Sequence, residues 1–200
     1  MEFKNIKRLL KLPPEVIAIY EVEDEVLEWA KLHAQFYLAR YAKNPARHWS
    51  ENESRNVYVG LLGEKVFDLI CLQFAVPTDR NDPVIDWRKR KAYDFYIPDF
   101  GAIEVKTFEA RCRKVLVKTS EWHGNDFLVV FHLTANPTTL RMEGWLTRKQ
   151  VEALPVSRRG EQFTRYASAY MTDMDKLNPA NEFLRMLNQK SLQAKVSREK

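Results

Sequence analysis

The chain is poor in cysteine, in long apolar runs and in glycine-rich linkers, and each shortage excludes a class of protein. The two cysteines, Cys71 and Cys112, have no CxxC spacing, so they indicate neither a disulfide framework nor a zinc site. No apolar run approaches the length of a membrane span, and the N-terminal residues lack the apolar core and cleavage site of a signal peptide. We therefore expect a protein of the reducing cytoplasm with no membrane partner.

Length and composition predict one globular domain of ordinary size. Two hundred residues, 45% of them apolar and 30% charged, are enough for one hydrophobic core. The net charge of +5 is carried by the last third, residues 134–200, and a separate basic run covers 88–91. A surplus of this size allows a polyanionic partner, but it is also typical of a solvated basic face.

Hydrophobic periodicity predicts an α/β or α+β domain around a small mixed sheet. The segments with helical spacing are 22–43, 55–74 and 179–194. The segments with strand character are 92–98, 102–108, 127–133 and 140–146. The most apolar of these strands, 127–133, is the candidate for the centre of the sheet. Thr147 is the expected N-cap of a short helix that continues through Leu154.

The stretch GAIEVKTF, residues 101–108, carries two opposite charges inside a predicted strand. Side chains at i and i+2 leave the same face of a sheet, so Glu104 and Lys106 are expected side by side. An ion pair at a sheet edge would explain them, because a Glu-x-Lys tripeptide is common enough to arise by chance. Their surroundings therefore decide the interpretation.

Two more carboxylates are expected near this pair. A tight turn through 99–101 would bring Asp94 level with Glu104. Glu64 lies on helix 55–74 and shares a helix face with Gly60, four residues earlier. Because Gly60 and Gly63 weaken the helix, a close approach of that face to the sheet is a plausible reason for them.

Three carboxylates that converge on one place repel each other, and a bound cation would remove this repulsion. Mg²⁺ takes oxygen ligands and keeps waters for substrate phosphates. A lysine beside such an ion would hold a hydrolytic water or hydroxide and counter the charge on a pentavalent phosphorus. The pattern therefore favours chemistry on a phosphate ester.

The order of a glutamate on a helix, an aspartate on a strand and Glu-x-Lys on the next strand resembles the PD-(D/E)xK nuclease superfamily. The matching residues are Glu64, Asp94 and Glu104-Val105-Lys106, within roughly 55–133. The segments GLLGE and EVKT are similar to the resolvase-like and phage exonuclease-like branches. One departure is Tyr93, which stands where the name of the motif has proline.

This resemblance implies a fold and a metal site. The fold is a restriction endonuclease-like core, with a mixed sheet of four to five strands flanked by helices. The implied metal ligands are Asp94, Glu104 and the Val105 carbonyl, with Glu64 reaching the ion directly or through water. The expected ion is Mg²⁺, with Mn²⁺ as a substitute.

The resemblance implies that the protein is a Mg²⁺-dependent deoxyribonuclease that leaves 5′-phosphate and 3′-hydroxyl ends. An endonuclease is favoured over an exonuclease. RNA stays open as a substrate. The alternative is a catalytically inactive nuclease-fold protein that binds DNA in a recombination, packaging or repair complex. Cleavage of both strands would favour a homodimer that presents two sites.

The expected organisation is a single nuclease-like domain over 1–200. It comprises an N-terminal helical arm (1–54), a catalytic core (55–154) and a basic C-terminal helical extension (155–200). The candidate nucleic-acid contacts, all basic, are Arg88, Lys89, Arg90, Lys91, Lys118, Arg158 and Arg159. We expect Lys118 on a helix after the hairpin and Arg158 in a basic loop. His123 is interpreted as part of a turn rather than a catalytic group, and His132 as a hydrogen-bonded core histidine.

Overall fold

The computed structural model describes residues 19–41, 51–80, 92–158 and 168–198. The helices are α1 (Asp24–Tyr41), α2 (Glu51–Gln73), α3 (Arg148–Glu152) and α4 (Ala180–Arg198). The strands are β1 (Ile19–Glu21), β2 (Asp79–Arg80), β3 (Phe95–Ile97), β4 (Gly101–Glu109), β5 (Lys114–Lys118), β6 (Phe127–Leu133), β7 (Thr139–Thr147), β8 (Val156–Arg158), β9 (Ser168–Asp173) and β10 (Asn178–Pro179). No helix in these ranges has the length and apolar character needed to cross a membrane.

The protein is mixed α/β and contains two sheets in its described part. The larger has seven strands in the order β1-β7-β6-β4-β3-β2, with β10 also paired to β7. Its β4 and β6 run parallel, and its other neighbouring strands are antiparallel. The smaller sheet has the order β5-β9-β8 and is antiparallel. The prediction of four to five strands was therefore too low.

Strand β6 lies at the centre of the larger sheet and is buried on both faces. Alternate residues Val129, Phe131 and Leu133 belong to the main core, which includes apolar residues of α1, α2 and α4. The intervening Leu128 and Val130 pack with Val115 and Val117 of the smaller sheet and with Val151 of α3. Burial on both sides explains why this strand is an unbroken apolar run, and it confirms the predicted central strand.

Several predicted elements are present with shifted ends. The β3–β4 hairpin, β6, β7 and the three long helices all occur. Thr147 caps α3 as predicted: its side chain accepts from the Gln150 amide while the Gln150 side chain accepts from the Thr147 amide. The helix ends at Glu152 rather than at Leu154.

The two ends of the described chain are built differently from the expected helical arm and extension. From α1, Val26 and Ala30 are buried in the same core cluster as residues of α2, so this helix packs into the core. The last part contains the strands β8 and β9 as well as α4. Both strands are short. Strand β9 pairs with β5, which lies 51 to 59 residues earlier in the chain, and β8 pairs with β9. Local periodicity therefore gives little sign of them.

Candidate active site at the open edge of strand β4

The hairpin between β3 and β4 places two of the predicted carboxylates opposite each other. Its turn needs two unusual conformations, Asp99 with φ 57° and Gly101 with φ 135°, and glycine suits the second. Phe95 pairs with Ile103, and the Asp94 amide donates to the Ile103 carbonyl at 3.0 Å. The next residues outward are Asp94 and Glu104, so the predicted register is confirmed.

Strand β4 has one paired edge and one partly open edge. It pairs with β6 from Ile103 to Glu109, whereas β3 covers it only from Gly101 to Ile103. Beyond that point the Asp94 carboxylate takes over, and its Oδ2 accepts from the Val105 amide at 2.8 Å. Because the N–H and C=O of one strand residue point to the same edge, the Val105 carbonyl also faces the open side.

Glu104 and Lys106 form a close, largely buried pair. Lys106 Nζ lies 2.5 Å from Glu104 Oε1, and Asn125 Nδ2 donates to Glu104 Oε2 at 3.3 Å. Burial alone would lower the pKa of Lys106, but the charges of Glu104 and Asp94 outweigh it and raise that pKa above its usual value. Lys106 is therefore an ammonium, a hydrogen-bond donor, at neutral pH.

Glu64 reaches the same place from helix α2. Burial raises its pKa well above the usual value, and the negative charge of Asp94 raises it further; Arg80 and Lys106 act in the opposite direction. Arg80 NH2 lies 4.0 Å from Glu64 Oε2. The two carboxylates of the hairpin thus repel Glu64, as the sequence pattern predicted.

Arg80 lies next to the site, although no pattern in the sequence indicated it. Its guanidinium carbon lies 5.1 Å from the centre of the Trp29 ring and 5.8 Å from that of Phe95. Asp68 Oδ2 accepts from its NH1 at 3.5 Å. Its buried Nε and NH2 have no hydrogen-bond partner within the described ranges. No local sequence pattern links Arg80 to Glu64, because only the packing of β2 beside α2 brings them together.

All the predicted catalytic residues line one pocket of about 290 Å³. It is lined by Tyr37, Asn56, Val57, Gly60, Leu61, Glu64, Ala92, Tyr93, Asp94, Glu104, Val105, Lys106, Thr107, Glu121 and His123. His123 was interpreted only as a turn residue, yet it lies in this wall. Tyr37 and Asn125 carried no signal in the sequence, since their proximity depends on the packing of α1 and of the loop before β6.

Of the candidate nucleic-acid contacts, the two that the structure describes, Lys118 and Arg158, do not line the pocket. Lys118 ends strand β5 instead of lying on a helix, and its Nζ pairs with Glu121 Oε1 at 2.7 Å. Arg158 is exposed at the end of β8 rather than in a loop, and it does not line the pocket. The remaining candidates lie outside the described residues: Arg88, Lys89, Arg90, Lys91 and Arg159.

His132 is a hydrogen-bonded histidine, as predicted. Its Nε2 is 2.9 Å from the Glu109 carbonyl, which lies on the neighbouring strand β4. Its Nδ1 is 3.0 Å from Glu143 Oε1, so both ring nitrogens face an oxygen. These contacts indicate that His132 has a structural role in the sheet.

The donor types at the pocket fit a hard divalent cation, although the side chains are not arranged as a ligand cluster. Over the described ranges, no three histidine, cysteine, aspartate or glutamate side chains already stand in an arrangement that could hold a metal ion. Glu104 is engaged by Lys106 and Asn125, and one oxygen of Asp94 by the Val105 amide. Burial is the main cause of the raised pKa of Glu64, and the charges of Asp94 and Glu104 add to it; a bound dication would offset that repulsion.

Comparison of the chain with protein-family models, with curated proteins and with solved structures finds no match. The function must therefore be inferred from the geometry and chemistry of this pocket.

Proposed function

We propose that the protein is a Mg²⁺-dependent deoxyribonuclease of the PD-(D/E)xK type. One observation carries the proposal: Glu64 from helix α2 and Asp94, Glu104 and Lys106 from the β3–β4 hairpin line one pocket at the open edge of β4. A structural ion pair would account for Glu104 and Lys106 alone. It gives no reason for two further carboxylates that raise the energy of the folded protein by mutual repulsion.

The residues that would hold the ion are Asp94, Glu104 and the Val105 carbonyl, with Glu64 completing the set. These groups supply the oxygen ligands that Mg²⁺ and Mn²⁺ take. When bound, the ion would polarise a phosphoryl oxygen and lower the pKa of a coordinated water. The protein contributes the positions of the ligands, because Asp94 and Glu104 are held opposite each other by the hairpin register.

In this proposal, Lys106 donates hydrogen bonds and supplies a positive charge. Its raised pKa keeps the ammonium protonated, so it is not suited to accept a proton from water at neutral pH. An ammonium has three N–H donors, and Glu104 takes one of them. The others are available to orient the attacking water and to stabilise charge on a non-bridging phosphate oxygen.

The architecture supports a restriction endonuclease-like core. Strands β3, β4, β6 and β7 are consecutive in the larger sheet and include both parallel and antiparallel pairs. Helices α2 and α4 supply the apolar residues of the main core beside them. The pocket lies where β3 stops covering β4, at the partly open edge of that strand.

DNA is the proposed substrate, hydrolysed to 5′-phosphate and 3′-hydroxyl ends, with endonuclease activity favoured. The presence of all four motif residues in one pocket favours an enzyme over the catalytically inactive DNA-binding alternative. RNA as substrate and a homodimer as the working unit stay open as outcomes of experiment.

The test is cleavage of supercoiled plasmid by the purified protein in Mg²⁺, in Mn²⁺ and in EDTA. We expect nicking with either metal and none in EDTA. Asp94→Asn should abolish it, because one metal-binding carboxylate is lost. Asp99→Asn is the matched control: it removes the same charge from the same hairpin, outside the pocket, and asparagine tolerates the positive φ of that position. It should cleave like the parent.

Melting in Mn²⁺ gives a second measurement that does not depend on activity. A ligand that binds only the folded protein raises its melting temperature. We expect a rise with millimolar Mn²⁺ that is absent in Asp94→Asn. DNA binding without cleavage in any metal would support the inactive alternative, and cleavage that survives Asp94→Asn would refute the assigned site.

A further inference from the structure

Helix α2 contains two glycines with opposite surroundings. A Cβ atom at position 63 would overlap the Thr107 hydroxyl and lie 2.9 Å from Thr107 Cβ, so β4 occupies that space. A Cβ atom at position 60 would meet no heavy atom of the surrounding described residues within 4 Å. A glycine inside a helix costs about 1 kcal/mol relative to alanine. The close packing of α2 on β4 explains Gly63, but no contact with the described residues explains Gly60.

The open space at Gly60 belongs to the candidate active site. Gly60 lines the pocket, and so do Asn56 and Glu64, one turn before and one turn after it on the same helix face. A side chain at position 60 would extend into this pocket. Gly60 therefore widens the pocket directly beside the acidic groups.

The reacting groups lie below the surface. The side chain of Glu104 is 9% exposed and that of Lys106 is 26% exposed. A phosphate that reaches Lys106 must therefore enter the pocket, and the sugar–phosphate chain on either side of it must pass along the pocket walls. Glycine is the residue that allows the closest approach of a ligand to a protein backbone.

We propose that one strand of the nucleic-acid substrate crosses helix α2 at Gly60, with its sugar–phosphate backbone in the space that a side chain would fill. This inference rests on the proposed function, since it assigns the path of the substrate into the same pocket. Gly60 is a positioning residue: it sets how deeply the strand can descend toward Lys106 and takes no part in the chemistry.

The proposal predicts that stability and activity change in opposite directions at position 60. Gly60→Ala and Gly60→Leu should raise the melting temperature, because both side chains favour a helix and alanine meets no neighbour. Gly60→Leu should lower plasmid cleavage in Mg²⁺ by about 100-fold, the size of effect expected when a substrate is misplaced by about 1 Å. Gly60→Ala should show a smaller loss.

Gly63→Ala is the matched control in the same helix. It should lower the melting temperature, because the new methyl group overlaps Thr107, whereas Gly63 itself does not line the pocket. Binding is measured separately by the fluorescence anisotropy of a labelled DNA oligonucleotide in Ca²⁺. Gly60→Leu should bind the oligonucleotide at least tenfold more weakly than the parent, whereas Gly63→Ala, at a temperature where it is folded, should bind it normally.

These measurements separate the inference from the proposed function. If the parent cleaves plasmid and Gly60→Leu cleaves and binds equally well, the strand does not cross at Gly60, and the nuclease assignment stands. If the parent neither cleaves plasmid nor binds the oligonucleotide, both proposals fail. If the parent binds without cleaving, the effect of Gly60→Leu on binding alone decides the inference.

Discussion

The two walls of the pocket differ in how their charges are balanced. On the strand wall, formed by Asp94, Glu104 and Lys106, each charged group has a partner at 2.5 to 2.8 Å. On the helix wall, formed by Gly60 and Glu64, the carboxylate faces Arg80 at 4.0 Å, and burial raises its pKa. The strand wall is organised by sheet register before any ligand binds, whereas on the helix wall Glu64 has only a distant cation and Gly60 leaves open space.

The largest effect is expected on the strand wall, at Lys106. Lys106→Met should lower plasmid cleavage by about 10² to 10³-fold, because it removes a donor directed at the reacting phosphate. It should still bind a labelled oligonucleotide in Ca²⁺. Lys114→Met is the control, since Lys114 is also a strand lysine paired with a carboxylate, that of Asp173. Equal loss of cleavage in both variants would contradict a chemical role for Lys106.

Some loss of stability is also expected in Lys106→Met, because Glu104 is left buried without its cation. Lys106→Arg separates the two effects. It keeps a positive charge next to Glu104 and should restore most of the melting temperature, but a guanidinium cannot reproduce the position of the ammonium. Recovery of stability without recovery of cleavage would sharpen the distinction between the ion pair and the chemistry.

A smaller loss of cleavage is expected on substitution of Asn125, whose side chain helps to hold Glu104 in place. Its amide donates to Glu104 Oε2 at 3.3 Å, and the residue is 2% exposed. Asn125→Ala should lower cleavage by about 10-fold or somewhat more, in the range typical of residues that orient a metal ligand. The measurement is cleavage rate against Mn²⁺ concentration, where we expect a higher half-saturating concentration. An unchanged metal dependence would show that Glu104 is held by Lys106 alone.

The smallest effect is expected on the helix wall, at Glu64. It is a gain in stability on substitution, where the other variants lose activity. The pKa of Glu64 is higher in the folded protein than its ordinary value of 4.5. Between these two pKa values the folded state holds a proton that the unfolded state has released. Metal-free stability should therefore fall as the pH rises from 4.5 through the folded pKa. Each pH unit between the two pKa values corresponds to about 1.4 kcal/mol.

Glu64→Gln tests this, because glutamine has no charge to bury. Its melting temperature in EDTA should exceed that of the parent at neutral pH, and the difference should vanish below pH 4.5. Glu28→Gln, at an exposed position of α1, should follow the parent at every pH. A variant less stable than the parent at neutral pH would mean that the contact of Glu64 with Arg80 outweighs its burial.

The parts of the fold and site that the sequence predicted depend on local geometry. Glu104 and Lys106 meet because residues two apart in a strand share a face, and Asp94 meets Glu104 because a tight hairpin determines its own register. The central position of β6 was readable because burial on both faces requires an unbroken apolar run. The predictions that failed concern long-range pairing: the smaller sheet joins β5 to β9 across some fifty residues.

What the sequence by itself determined about this protein is therefore the order and spacing of its acidic groups and the strand that carries them. Only the tertiary structure decided what surrounds each group. Gly60 and Gly63 are the same residue in the same helix, yet Thr107 fills the space beside one and the pocket opens beside the other. Arg80 and Asn125 likewise reach Glu64 and Glu104 only through packing. Chain spacing sets which residues share a face, but the pKa of a carboxylate and the room beside a helix depend on atoms supplied by distant segments.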